Sequence, residues 1–197
     1  MRLSFTTKMP CPSFALPAGE DCHTGRKLMG IPKSVCKACY ARRGNYVFPG
    51  AAALRKENLE ATKKAIRSPA QAHKWVTTLT GLIHGSGTAW FRWHDSGDVI
   101  SERHLHMIFD VCEQTPDVKH WVPTREYAFV QSVLLSRPMP KNCTVRLSAH
   151  MVGDTLPSTQ LPTSSVGAEV GHMCPATYKK SHEGKCLDCR GCWDKRV

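Results

Sequence analysis

Between Ala89 and His150 a strand pattern recurs three times, in AWFRWHD, KHWVPT and CTVRLSAH. Each is short and rich in aromatic and β-branched residues. Helical patterns separate them. Leu105, Ile108, Phe109 and Cys112 share one helix face behind Ser101, which is placed to cap it. Tyr127, Val130, Val133 and Leu134 share another, stopped by Pro138. Parallel strands need a crossover connection, usually a helix, so this alternation predicts β/α units around a parallel sheet.

Two helices are expected before the first strand. One opens at Pro49 and runs to about Ser68. Ser68-Pro69-Ala70-Gln71 then reads as a capping box. Ala72, Trp75, Val76, Leu79 and Ile83 follow it at helical spacing, with Gly85 as the stop. A complete eight-unit barrel takes about 250 residues, and this chain has room for roughly four to six units. The expected fold class is therefore α/β, as a partial (truncated) β/α barrel or a short parallel sheet. We expect a single domain over residues 1–197, with its core at 49–155. The flanks, 1–48 and 156–197, are irregular and rich in Cys.

The chain has 10 cysteines, unevenly spread. CLDCRGCW places Cys186, Cys189 and Cys192 at steps of three. Tetrahedral zinc sites usually use two separated pairs. A Cx2Cx2C run instead suits a [4Fe–4S] cluster, with a remote Cys-Pro as the fourth ligand. Cys174, followed by Pro175, fills that role. Cys22, Cys36 and Cys39 form a looser N-terminal set. They are read as ligands of a second metal centre, of a zinc site, or of one cluster shared with the other end. Cys11 is an ambiguous further member, and His23 an optional substitute for a thiolate. Cys112 and Cys143 fall on predicted helix and strand positions and are expected in the core.

Parallel α/β folds place chemistry beyond the C-terminal ends of the strands. The first such end carries His94, Asp95, Ser96, Gly97 and Asp98, the second Thr124, Arg125 and Glu126, and the third Ser148 and His150. His94, Asp95, Asp98, Arg125 and Glu126 are the candidate catalytic groups. Ser96, Gly97 and Ser148 are the candidate ligand-binding positions. Together they would suit a zwitterionic or phosphorylated ligand.

No apolar run approaches the roughly 20 residues that span a bilayer. The opening MRLSFTTKMPCPSF lacks the apolar stretch of a secretory signal. A cytoplasmic location with reduced thiols is expected, which favours metal binding over disulfides. The formal charge of +11 suggests an anionic partner such as nucleic acid or a nucleotide. Arg55, Lys56, Lys63, Lys64 and Arg67 lie on or near one predicted helix face, and Trp90, Trp93 and Trp121 in predicted strands.

SFALPAGEDC, SVCKACYARRGNYVFP, FRWHDSGD, VPTRE, VRLSA and a terminal CPAT…CxxCxxCW resemble, in this order, a family of small bacteriophage proteins called gene product 88-like. The likeness spans most of the chain and implies a phage-infected bacterial host, but no activity. A weaker likeness is to radical S-adenosylmethionine enzymes, partial barrels with a three-cysteine [4Fe–4S] loop. CYA after a cysteine pair is similar to their spore photoproduct lyase branch. Ser96-Gly97-Asp98 is similar to the Gly-Gly-Glu segment that holds the methionine amino group. The usual CxxxCxxC spacing is absent, with thirteen residues between Cys22 and Cys36. This resemblance implies a redox or radical-type enzyme using S-adenosylmethionine. The two other expectations are a nucleic-acid-binding protein with structural clusters and a zinc-stapled interaction module.

Overall fold

A computed structural model describes residues 1–19, 21–156 and 159–197. Six strands form one sheet in sequential order: β1 (Ser4–Phe5), β2 (Pro12–Phe14), β3 (Trp90–Trp93), β4 (Lys119–Thr124), β5 (Cys143–Val152) and β6 (Thr163–Val166). β1 joins β2 antiparallel, and β2 to β6 are parallel throughout. The order never reverses, so the sheet has the winding of a partial barrel, open between β1 and β6. The chain has an α/β fold.

The helices are α1 (His23–Leu28), α2 (Pro49–Arg67), α3 (Pro69–Gly85), α4 (Glu102–Gln114), α5 (Tyr127–Ser136) and a single turn, α6 (Pro175–Tyr178). Helices α2 to α5 cover one face of the sheet. Alternation within each strand decides what meets them. Phe14, Phe91, Trp93, Val122, Cys143 and Val145 pack against Trp75, Leu79, Leu105, Ile108 and Phe109 in one buried core. Cys112 and Cys143 are both fully buried there, as expected.

The opposite, concave face carries the other half of each strand. Ser13, Arg92, Trp121 and Thr144 stand in register across β2 to β5. The C-terminal segment lies against this face. Trp193 packs edge-on against Trp90 and Trp121, at ring distances of 5.5 and 5.3 Å. Its indole N–H donates to the Phe91 carbonyl, and its own carbonyl accepts from Thr144 Oγ1. Arg146 donates to the carbonyls of Gly191 and Asp194.

Several expectations need correction. Residues 1–48 are not wholly irregular, since they supply β1, β2 and α1, and the C-terminal stretch supplies β6. These strands are two to four residues long, too short for a period-2 pattern to show. Ser68 does stand at the N-cap of α3, but its side chain makes no cap bond, so no capping box forms. Ser101 does cap α4, accepting from His104 N–H at 3.1 Å.

Candidate active site at the strand ends

The strand ends converge. A cavity of about 220 Å³ is lined by His94 to Asp98, Arg125 and Ser148, and also by Cys22, Cys36 and Cys39. Of the strand-end positions proposed from the sequence, His94 to Asp98, Arg125 and Ser148 line it, together with Cys22, Cys36 and Cys39, whereas Thr124, Glu126 and His150 do not.

The loop after β3 is laced to the end of β2. His94 N–H donates to Phe14 O, Leu16 N–H to Ser96 O, and Ser96 Oγ to Leu16 O at 2.6 Å. Gly97 is obligatory here. Its φ is +78°, and a Cβ would stand 2.7 Å from Leu16 Cβ and 2.9 Å from Leu16 O. His94 also has a left-handed backbone, with φ +57°. For a residue with a Cβ that conformation costs energy, and such strain gathers at functional sites.

Asp95 is 1% exposed. Its carboxylate oxygens have no hydrogen-bond partner among the described residues. The nearest guanidinium nitrogen, of Arg55, is 3.8 Å away. Burial raises the Asp95 pKa, against the pull of Arg92 and Arg55. Both ring nitrogens of His94 are likewise buried without partners, and burial lowers its pKa to about 3. His94 is therefore a neutral imidazole at neutral pH.

Two carboxylates serve as braces. Asp98 accepts from Val99 N–H, Thr124 Oγ1 and Arg125 N–H, at 2.6 to 3.0 Å, which ties the β3 loop to the end of β4. Burial still raises its pKa to about 6. Glu126 accepts from Thr24 N–H and Thr24 Oγ1, both at 2.7 Å. It holds the first turn of α1, and Cys22 is the N-cap residue just before that helix. Arg125 turns its Nε to Ala149 O and lines the cavity. His150 stacks on Tyr127 at 4.5 Å.

The three thiols stand close. Gly25 lies between two of them, since a Cβ there would meet Cys22 Cβ at 2.8 Å and Cys36 Sγ at 3.6 Å. Burial pushes the Cys22 thiol up to about 12, and Asp98, Cys39 and Cys36 push it further in the same direction. Cys36 is raised by burial too. Thiols that resist ionisation in one another's presence are stabilised as thiolates by a cation among them. Among the described residues, no three His, Cys, Asp or Glu groups are gathered about one ion position. Thiolates of a [4Fe–4S] cluster each take a different iron rather than one shared ion.

Cys174, Cys186, Cys189 and Cys192 gather at the C-terminal segment. Cys174, Cys189 and Cys192 line a second cavity, of about 560 Å³. Burial raises Cys192 to about 11, with Cys174 and Cys186 adding to the rise. All ten cysteines are free thiols.

Four site groups were hidden in the sequence. Arg55 was read as part of a basic helix face, but it is buried, donating to Ser96 Oγ at 2.7 Å and lying over the Tyr46 ring. Lys63 pairs with Asp21, leaving Lys56, Lys64 and Arg67 in the solvated part of that face. Tyr40 donates to Asp95 O. Trp121 lines the cavity, with the Arg92 guanidinium 4.6 Å from its ring centroid. Alternation in WFRW was the available signal for Arg92, because it puts Arg92 opposite Phe91 and Trp93.

A model of the family described as Gene product 88 matches residues 2–195. The chain belongs to that family. No curated protein and no solved structure matches this gene product 88 chain. No helix among its described residues is long and apolar enough to cross a membrane.

Proposed function

We propose that this gene product 88 protein is an iron–sulfur protein of a phage-infected cytoplasm. In this reading Cys22, Cys36 and Cys39 hold a [4Fe–4S] centre at the strand ends, and Cys174, Cys186, Cys189 and Cys192 hold a second. The observation that carries the proposal is the meeting of three half-buried thiols with unpartnered polar groups around one cavity. Asp95 and His94 side chains lack hydrogen-bond partners among the described residues, which supports a polar ligand in that space. Such a centre supplies electron transfer and, with three protein thiolates for four irons, an iron open to the cavity. The chain's part is to hold the thiols, exclude water, and present a carboxylate and a guanidinium to the ligand. This arrangement suits a redox or radical-type enzyme.

The test is anaerobic purification with iron, sulfide and zinc quantified. About eight irons and eight sulfides per chain are expected, four for each centre. Zinc without iron would reject the proposal in favour of a zinc-stapled module. S-adenosylmethionine carries both an ammonium and a carboxylate, so it is the first ligand to titrate by calorimetry. No heat from the iron-loaded protein would remove it as the ligand.

A further inference from the structure

Cys11 sits on the concave face, where the C-terminal segment docks. It immediately precedes β2, two residues before Ser13, which is in register with Arg92. Its side chain is 7% exposed. Arg92, and Cys186 and Arg190 of the C-terminal segment, are among the groups whose charge bears on it.

The backbone holds the two segments together independently. Cys186 N–H donates to Lys8 O at 3.0 Å. Cys186 Sγ lies 3.8 Å from Met9 Sδ, and Arg92 reaches the same sulfur at 3.5 Å. Lys8 and Met9, two to three residues before Cys11, thus border the C-terminal thiol cluster.

We infer that Cys11 is a protein ligand of the C-terminal metal centre, so that the metal joins the second strand of the sheet to the tail of the chain. The inference rests on the iron–sulfur reading above. It adds a ligand that spacing alone does not assign and moves Cys11 away from the N-terminal set.

The chemistry favours Cys11 as a ligand. A buried thiol at the start of a strand is preorganised, and little entropy is lost when it binds. Cys174, by contrast, is exposed on a loop before a single helical turn. Cys11 then takes the fourth place beside Cys186, Cys189 and Cys192 instead of the exposed Cys174, so that its loss leaves the centre one ligand short. Binding deprotonates Cys11 and releases its proton to solvent, with no redox step. Arg92 and Arg190 beside it offset the thiolate charge.

The test compares the full chain with Cys11→Ser, Cys11→Val and Cys22→Ser, each purified anaerobically with iron and sulfide quantified. Cys11→Val preserves apolar packing at the buried position if serine disturbs it. Adding Cys22→Ser to Cys11→Val separates the two centres. The expected result is that Cys11→Val loses roughly half the parental iron and Cys22→Ser a different half, so that the double variant retains almost none. Cys11→Val with parental iron and an unchanged spectrum would overturn the inference while leaving the iron–sulfur reading intact. A parent chain without iron would overturn both. If Cys11→Val does not fold without metal but the parent also unfolds when iron is chelated, the staple is supported. If the parent stays folded on chelation, the variant's failure is a packing effect and the inference falls.

Discussion

Glu126 and Thr24 are 102 residues apart in sequence, yet both carboxylate oxygens of Glu126 accept hydrogen bonds from Thr24, one from its N–H and one from its Oγ1, each at 2.7 Å. This contact fixes the start of α1, and with it Cys22, to the end of β4. Glu126, a strand-end carboxylate, thus braces the turn that follows Cys22.

Glu126→Ala should therefore act on metal binding as well as stability. Losing a buried, charge-assisted pair costs about 2–3 kcal/mol. Thr24→Val, which removes only the hydroxyl bond, should cost about 1 kcal/mol. Urea denaturation measures both. Iron analysis should show loss from the N-terminal centre only. A Glu126→Ala protein with parental iron would show that Cys22 needs no such brace.

Gly25→Ala tests the thiol cradle. The new Cβ would stand 2.8 Å from Cys22 Cβ and press toward Cys36 Sγ. The helix itself tolerates alanine better than glycine. The expected outcome is a folded protein by circular dichroism with depleted N-terminal iron. Full iron content would mean that the cradle is looser than its distances imply.

Gly97→Ala should destabilise the whole fold. It combines a φ of +78° with a Cβ 2.9 Å from the Leu16 carbonyl. Backbone strain and the clash together should cost about 2–4 kcal/mol. Thermal melting checks this, and a melting point within a degree of the parent would contradict it.

Trp193→Ala removes the ring that seals the concave face between Trp90 and Trp121. A buried Trp→Ala change costs about 3–5 kcal/mol. Limited proteolysis should then cut the C-terminal segment first. Equal protection of that segment in parent and variant would show that other contacts hold the tail.

Three buried histidines set the acid behaviour. Burial lowers His94 and His120 to about 3 and His104 well below its usual value. Their folded forms refuse a proton that the unfolded chain accepts below about pH 6.5. Each therefore contributes stability that is present above that pH and lost as pH falls toward 3. Asp98 and Asp95 work in the opposite direction. Burial raises both, Asp98 to about 6, so protonating them as pH falls toward 4 favours the folded state. The three histidines outnumber these two carboxylates, and net stability should fall on acidification, by about 1.4 kcal/mol per pH unit for each unbalanced proton. Melting points from pH 7.5 to 4.5 test this, and a flat profile would contradict it.

Much of the fold was legible because local signals agreed. KHWVPT is β4 residue for residue, and Ser101 caps α4 as its position suggested. The polar groups after β3, β4 and β5 were legible as a site because parallel strands deliver their C-terminal ends to one edge. Their roles were less legible. Arg55 looked like one more charge on a basic helix, and only the packing of α2 against the β3 loop turns it inward. Cys11 looked closest to Cys22 along the chain, but the C-terminal segment bonds to the residues just before it, with Cys186 N–H on Lys8 O.

The sequence by itself determined the α/β class, most helix and strand bounds, the residues of the hydrophobic core and the clustering of thiols at both ends. Those depend on periodicity and local chemistry, which adjacent residues record. Tertiary structure alone decided that β1, β2 and β6 join the sheet, that Glu126 braces Thr24, and that Trp193 closes the concave face. Each of these unites residues far apart in the chain, and their stability comes from a partner that no local pattern specifies.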